Sequence, residues 1–594
     1  MKKILSSPIS YLMLIIFFLF SIFCLKNGGE DPHFTEISNN LIESSFEKDT
    51  LGASFSFQNP KEFGLSSETV SLPLYDRKDY LSTHISVANM IAQLEKINPQ
   101  NLSEPAQNTY YVLLPYLKKQ LEGTNFPYYE EPLSVTGGVH ISLPVLLAEF
   151  PVEDESDLNR YLSVLSLIPV YFESLADFES DKAAAGMFMA SEDVDLVISQ
   201  CDFFGSEQGK NFFCNCFELT LKKVFSEEDA SFDSYTQKHN YILEEKVLPA
   251  YQKLGDSMLL LKQSGKPRKG LCQYREGKAY YEHLIQQRIG TDASTSQIEE
   301  KLCKRLKKLY EELSVLQDNA SSDTYFNHLA SDNSASLTEA VSCLPVIQEK
   351  MGALFPAFSS KSHVTIKEIP ASLVDYTAPA YYFTPSIRMC RPNHVSDIEN
   401  TIYVGKDIKK DPIQLFTTLA HEGYPGHMYQ NIYFLSTHGV SRKNALRYCM
   451  NFPGYSEGWA MYVELLSYSH AEGDKTYLQM LRLSREIQLC LLCILDIRIH
   501  DQGAEVADIS PYLAQLGIKE AADIENVFSY LINEPGTYLQ YYGGYLELLE
   551  CRELYRKKCG AEGIAYTDLS FHTFFLKHGP DSYVNIKKAL ATGK

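Results

Sequence analysis

Apolar residues recur at helical spacing along most of the chain. Val87, Met90, Ile91 and Leu94 fall at i, i+3, i+4 and i+7, and Leu158, Tyr161, Leu162 and Leu165 repeat the pattern. Such sets share one face of a helix. From about Leu81 to Leu261 few segments alternate in the strand period, so this stretch reads as a series of helices. Val364 to Ile369 and Ala380 to Thr384 have the β-branched and aromatic content of short strands, each set off by proline. The pattern predicts a mainly α fold with a few short strands. No internal repeat is visible.

The polar breaks predict the organisation. Ser264 to Gly270 is polar and rich in breakers, and is the best candidate boundary. Ser296-Gln297-Ile298-Glu299 has the form of a capping box that opens a long helix. Near the N-terminus, Ile9 to Leu25 carries no charge and follows Lys2 and Lys3. Residues 1–25 therefore read as a signal peptide or N-terminal membrane anchor, with the lysines on the cytoplasmic side and the rest of the chain exported. Cys24 is a candidate lipid-attachment cysteine, although Phe23 before it is bulkier than that processing normally accepts. Residues 26–55, rich in Gly, Asn, Ser and charge, read as a tether. A helical region over 56–265 and a catalytic region over 266–594 follow.

Composition narrows the partners. The 594 residues include 54 Lys and Arg against 75 Asp and Glu, a net charge of −21, which argues against nucleic acid. The nearest basic run, Lys301, Lys304, Arg305, Lys307 and Lys308, is followed by Glu311 and Glu312 and reads as a self-paired helix face. The 13 cysteines are too scattered for a small disulfide scaffold. Cys490 and Cys493 form a CxxC inside an apolar run and read as small core residues, and Cys214 and Cys216 are no more informative.

One segment differs in kind. Asp411, Pro412 and Gln414 form a helix start, and Leu415, Phe416, Leu419 and Ala420 give that helix an apolar face. It runs into His421-Glu422-Gly423-Tyr424-Pro425-Gly426-His427. Two histidines can bind a zinc ion, and a glutamate between them can deprotonate water. Six positions on a regular helix turn about 600°, so an unbroken helix would point the imidazoles apart. Pro425 and Gly426 can break it and return His427 to the metal. The expected third ligand is Glu457, thirty residues after His427, where Pro453 and Gly454 mark a turn and Ser456 can cap the next helix.

The pattern HExxPGH over His421 to His427, followed by EGWA over Glu457 to Ala460, resembles the bacterial domain-of-unknown-function 885 family, whose members look like gluzincin-type zinc peptidases. Ala380-Tyr381-Tyr382 resembles its strand before the metal helix. Asp496 to His500 resembles a motif on a later helix, Pro535-Gly536 with Tyr541 and Gly544 its PGQxxxYxxG, and Phe571-His572 its FHD. Thr537 stands where the family usually has glutamine. The resemblance implies a multi-helical shell around a deep substrate cleft, Zn2+ held by His421, His427 and Glu457, and Glu422 as general base, with peptides as substrate. Zinc polarises a carbonyl and lowers the pKa of water toward ~7, so chemistry assigns Glu422 the same role. Tyr541 and His500 are candidate donors to the oxyanion. Glu464, seven after Glu457, faces the same way and reads as a support for the ligands or a solvated group.

Two rivals compete. Gly454 to Gly458 also fits GxSxG, which a serine hydrolase would use with Ser456, Asp496 and His572, but that motif needs a strand, an elbow and a helix in a sheet-rich fold. The other is a non-catalytic helical surface binding protein.

Overall fold

Where the spacing predicts helices, helices form. The computed structural model describes residues 32–592 apart from 66–68, 76, 320–336, 358–361, 370–373, 375–376, 393–397 and 409–410. Helices take 71% of the chain and strands 4%, which makes the fold mainly α. The expected anchor over 1–25, with Cys24, lies outside the described residues.

The tether expected over 26–55 needs correction. Residues Pro32–Phe46 form helix α1 and Thr50–Ser56 a second short helix. Phe34, Ile37, Leu41 and Ile42 on α1 are buried and pack into a core with Leu113 of α2 (Glu104–Gly123) and Leu446. The composition hid an apolar face spaced i, i+3, i+7 and i+8 among polar residues. A second core is built around α3 (Glu155–Ala184) and α4 (Leu248–Leu261). Although α3 is long and apolar enough to cross a membrane, its face of Leu158, Leu162, Leu165 and Ile168 is buried there. Ser264 to Gly270 joins the halves without separating them. Lys266 N–H donates to Met189 O at 3.2 Å, and Gly270 lies so close to Ile499 O that a Cβ would come within 1.9 Å.

The long charged helix α5 (Thr295–Asn319) starts one residue before the expected cap, Ser296. Gln297 Oε1 accepts from Ser294 N–H at 2.9 Å, whereas Glu299 accepts from Gln502 at 2.8 Å. Its basic run is self-paired only in part. Lys304 meets Glu300 at 2.5 Å, but Lys301 reaches Glu547 and Arg305 reaches Glu486, each at 2.7 Å.

A small sheet follows. Strand β1 (Ser362–Glu368) pairs in parallel with β3 (Ile398–Val404), and β2 (Ala380–Phe383) pairs antiparallel with β3, giving the order β1-β3-β2. The pattern predicts β1 and β2 but misses β3. Its Glu399, Asn400 and Thr401 dilute the apolar signal that Ile402, Tyr403 and Val404 carry.

Helices α6 (Pro412–Glu422), α7 (His427–His438) and α8 (Pro453–Ser467) form the centre of the largest core. Asp411 Oδ1 caps α6, accepting from Ile413 N–H at 2.8 Å and Gln414 N–H at 3.2 Å. Helices α9 (Lys475–Ile497), α10 (Gly544–Glu562) and α11 (Asp568–His578) close around them. Cys490 and Cys493 are buried on α9, and all twelve cysteines after Cys24 are free thiols.

Glycines set the α8 to α10 approach. A Cβ on Gly458 would come within 2.5 Å of Gly544 C and 2.6 Å of the Tyr583 hydroxyl. Backbone cannot yield as a flexible side chain can, so Gly458→Ala should lower stability by about 1–3 kcal/mol. Gly560→Ala, on the same helix α10 with nothing within 4 Å, should be neutral or slightly stabilising. Urea unfolding midpoints of the two variants check this.

Candidate metal centre

The break expected between the histidines is present. Helix α6 ends at Glu422, and Gly423 leaves helical geometry with φ −103° and ψ −105°. Gly426 passes so near the end of α6 that a Cβ would come 1.6 Å from His421 O. Only glycine fits there. Trp459, fully buried on α8, donates its indole N–H to Pro425 O at 2.9 Å and stacks on Phe575 with ring centroids 5.6 Å apart. The turn between the two histidines is thereby pinned to the helix that carries Glu457. That helix opens at Pro453 with Phe452 before it, so Ser456 lies inside the first turn and is not its cap.

The result is a convergence. His421, His427 and Glu457 offer donor atoms that all lie within 4.8 Å of one another. Glu457 Oε2 is 3.3 Å from His427 Nε2 and 3.6 Å from His421 Nε2. Both distances exceed a good hydrogen bond, and Glu457 Oε2 is buried with no hydrogen-bond partner. Ligands at 2.0–2.1 Å around a tetrahedral zinc ion stand about 3.3–3.4 Å apart, and three protein ligands with one open position are a catalytic zinc arrangement. The three residues fit such an ion.

The support is built in. His421 Nδ1–H donates to Glu464 Oε2 at 2.9 Å, which leaves Nε2 free to face the site. Arg485 Nε–H donates to the other oxygen of Glu464 at 3.1 Å. Glu422 Oε2 accepts from the Tyr382 N–H of strand β2 at 2.8 Å, and its Oε1 is 4.0 Å from His421 Nε2. Tyr382 is tied in turn, its hydroxyl donating to Asn400 Oδ1 at 2.8 Å. Sequence reasoning misses Arg485 and the backbone donor of Tyr382, since neither spacing nor residue type marks them.

Electrostatics follow from burial and charge. Burial disfavours the His421 imidazolium, but the nearby Glu457 carboxylate, the hydrogen bond to Glu464 and the charge of Glu422 outweigh it and push its pKa up to about 10. Burial also opposes the Glu457 carboxylate, yet the charge of His427 and the closeness of both imidazoles hold it down at about 2. Burial raises the Glu422 carboxyl, and His421 and His427 offset this only in part. Three buried carboxylates around two imidazoles give the centre a demand for positive charge.

Tyr541 lines the same cavity as His421, His427 and Glu457, a space of about 460 Å³. Its ring stacks on His421 at 6.3 Å between centroids. Burial and the charges of Glu457 and Glu422 raise its hydroxyl, which stays a neutral donor.

His500 is a correction. It lies on the π-helical turn Arg498–Gln502 and lines a separate, smaller cavity together with Glu131, Arg268 and Asn533. Its Nε2–H donates to Leu531 O at 2.9 Å, and its Nδ1 accepts from Leu271 N–H at 3.2 Å. Its neighbours on the motif place it on the right helix, but the turn aims its ring away from the metal ligands. Both nitrogens are used and burial lowers its pKa to about 4, so His500 is a structural residue.

Ser456 faces the metal cavity, but its suggested partners do not join it. Asp496 accepts from the Tyr281 hydroxyl and from Gly536 N–H at 2.8 Å. His572 Nδ1–H donates to Leu354 O at 2.7 Å, and its Nε2 meets the Tyr462 hydroxyl at 2.9 Å. Thr537 accepts from Arg288 at 2.7 Å.

No curated protein matches the chain. Among solved structures, the chain is similar to the "putative lipoprotein" from Colwellia psychrerythraea, at 17% identity and a TM-score of 0.80 over 94% of this chain and 98% of that one. It is also similar to a "putative lipoprotein of unknown function" from Shewanella oneidensis, at 16% identity and a TM-score of 0.65 over 94% and 99% of the two chains. At these identities the likeness establishes a shared fold. The family model described as bacterial protein of unknown function (DUF885) matches residues 62–584, and the chain therefore belongs to the DUF885 family.

Proposed function

We propose that this protein is an exported zinc-dependent peptidase that hydrolyses peptide bonds in short or unfolded chains. The observation that carries this reading is the convergence of His421, His427 and Glu457 within 4.8 Å, with Glu422 held beside them by the Tyr382 N–H. When bound, a zinc ion supplies Lewis acidity for a carbonyl and acidifies water. His421, His427 and Glu457 hold it, and Glu464 fixes the tautomer of His421. Glu422 accepts the proton of the attacking water on Oε1, the oxygen that Tyr382 leaves free, and returns it to the departing amine nitrogen. Its burial raises its pKa, which makes it a stronger base than an exposed glutamate. The Tyr541 hydroxyl donates to the oxygen that gains charge. A cavity of about 460 Å³ holds a few residues of extended chain and excludes a folded protein. Export is supported by the uncharged Ile9 to Leu25 after Lys2 and Lys3, and agrees with the lipoprotein descriptions of the two structural neighbours.

Elemental analysis of the purified protein should give about one equivalent of zinc, and Glu457→Ala should lose most of it. Glu464→Ala should keep the ligands yet weaken zinc affinity about 10- to 100-fold, measured by competition with a chromogenic chelator. Glu422→Gln should retain zinc and cleave a mixed peptide library at least about 100-fold more slowly, read by mass spectrometry. Identical product profiles for Glu422→Gln and the unaltered protein would overturn the mechanism.

A further inference from the structure

Arg447 lies in the metal cavity with its charge unmatched. It is 6% exposed and lines the same space as His421, Glu422, His427 and Glu457. Its Nη2 donates to the His578 and Pro580 carbonyls, each at 3.0 Å, and its Nη1 makes a long contact of 3.4 Å to Asn108 O. Its Nε has no partner. Carbonyl dipoles satisfy donors but supply no net negative charge. Asp581, whose charge favours the guanidinium from a distance, is itself bonded to His578, Ser582 and Asn585. Burial works against the cation.

Other buried cations are compensated. Lys182 has Glu131 at 2.6 Å and Glu179 at 3.6 Å, Arg268 has Asp193 at 2.6 Å, and Arg305 has Glu486 at 2.7 Å. Unmet polar groups also gather in this cavity. Of the twelve buried side-chain atoms without a partner among the described residues, four belong to residues that line it: Tyr381, Gln430, Arg447 and Glu457. Buried polar atoms are normally paired, so a cluster of exceptions marks a place where a ligand completes the pairing.

The position of Arg447 gives a scale. Its guanidinium lies over the Phe434 ring at 5.6 Å, and Phe434 stands seven residues after His427 on α7. Seven residues of helix rise about 10 Å, which is the span of about three extended residues. Gln430 lies between them on the same face. We propose that Arg447 binds a carboxylate of the substrate, so that this cavity selects peptides carrying a free carboxylate within about three residues of the bond cleaved. This rests on the peptidase reading above and names its substrate class. The carboxylate comes from the C-terminus or from an acidic side chain, and the guanidinium fork suits either.

The test is binding, which needs no turnover. Zinc-loaded Glu422→Gln protein is titrated with three acetylated tripeptides: one with a free C-terminal carboxylate, the same peptide as its amide, and an amide whose last residue is glutamate. A charge-assisted hydrogen bond should favour the free acid over its amide at least about tenfold. Binding of the glutamyl amide like the acid shows that the site takes a carboxylate from either source, and binding like the plain amide assigns it to the C-terminus. Both outcomes support a carboxylate site. In Arg447→Gln added to the same background, the ratio of acid to amide should fall to about one. If that variant fails to fold, Arg447→Lys, which keeps the charge but not the fork, should lower the ratio several-fold. Equal binding of all three peptides, or a ratio that Arg447→Gln leaves intact, overturns this proposal alone. Absence of binding by every peptide overturns the peptidase reading with it.

Discussion

The six-residue interval between His421 and His427 is the constraint around which the centre is organised. A continuous helix would carry the two imidazoles to different faces, so the chain must stop, reverse and restart within four residues. Gly423 and Gly426 allow it, the latter because nothing larger fits against His421 O. Such a reversal has few hydrogen bonds of its own, and it is held from outside by the Trp459 indole on Pro425 O. Because Trp459 follows Glu457 by two residues on α8, the group that fixes the turn belongs to the same rigid helix as Glu457. Packing of Trp459 on Phe575 carries that constraint into α11. A buried tryptophan of this kind contributes about 3–5 kcal/mol to stability, and here the same contact sets how His427 and Glu457 approach each other.

Charge obeys a second rule. Two buried carboxylates of the main core are matched by cations, Glu464 between His421 and Arg485 and Glu486 between Arg305 and Arg482, while Asp496 is met by neutral donors. Two groups in the cavity wall stay unmet. Glu457 keeps an unpaired oxygen and Arg447 an unpaired nitrogen, at places where the local rules of satisfied burial are broken. Proteins tolerate such breaks where a ligand restores the balance. One break calls for a cation and the other for an anion, as a metal and a carboxylate-bearing substrate would supply.

Much of this was legible from residues alone. Asp411 and Pro412 announce α6, and the apolar run through Ala420 gives its buried face. His421, Glu422, His427 and Glu457 are found by residue type and spacing, since zinc chemistry tolerates few alternatives. Errors fell where a local signal has two tertiary outcomes. His500 carries the right chemistry on the right stretch of chain, but a π-helical turn points it toward Leu531 and Leu271. Residues 32–46 have the composition of a linker and the spacing of a helix, and burial of Phe34 and Ile42 made the spacing decisive. Strand β3 is hard to read because Glu399, Asn400 and Thr401 interrupt its apolar residues.

The sequence by itself determined the helical class, the break between the two histidines and the four residues, His421, Glu422, His427 and Glu457, that come together. These follow from periodicity, from the steric limits of glycine and proline, and from donor chemistry, all of which act within a few residues. Only the tertiary structure decided what surrounds them: that Glu464 fixes His421, that a backbone N–H of β2 holds Glu422, that Tyr541 enters the cavity while His500 does not, and that Arg447 is buried there without a carboxylate. Each of these depends on which faces of distant helices meet, and that is set by the packing of the whole core.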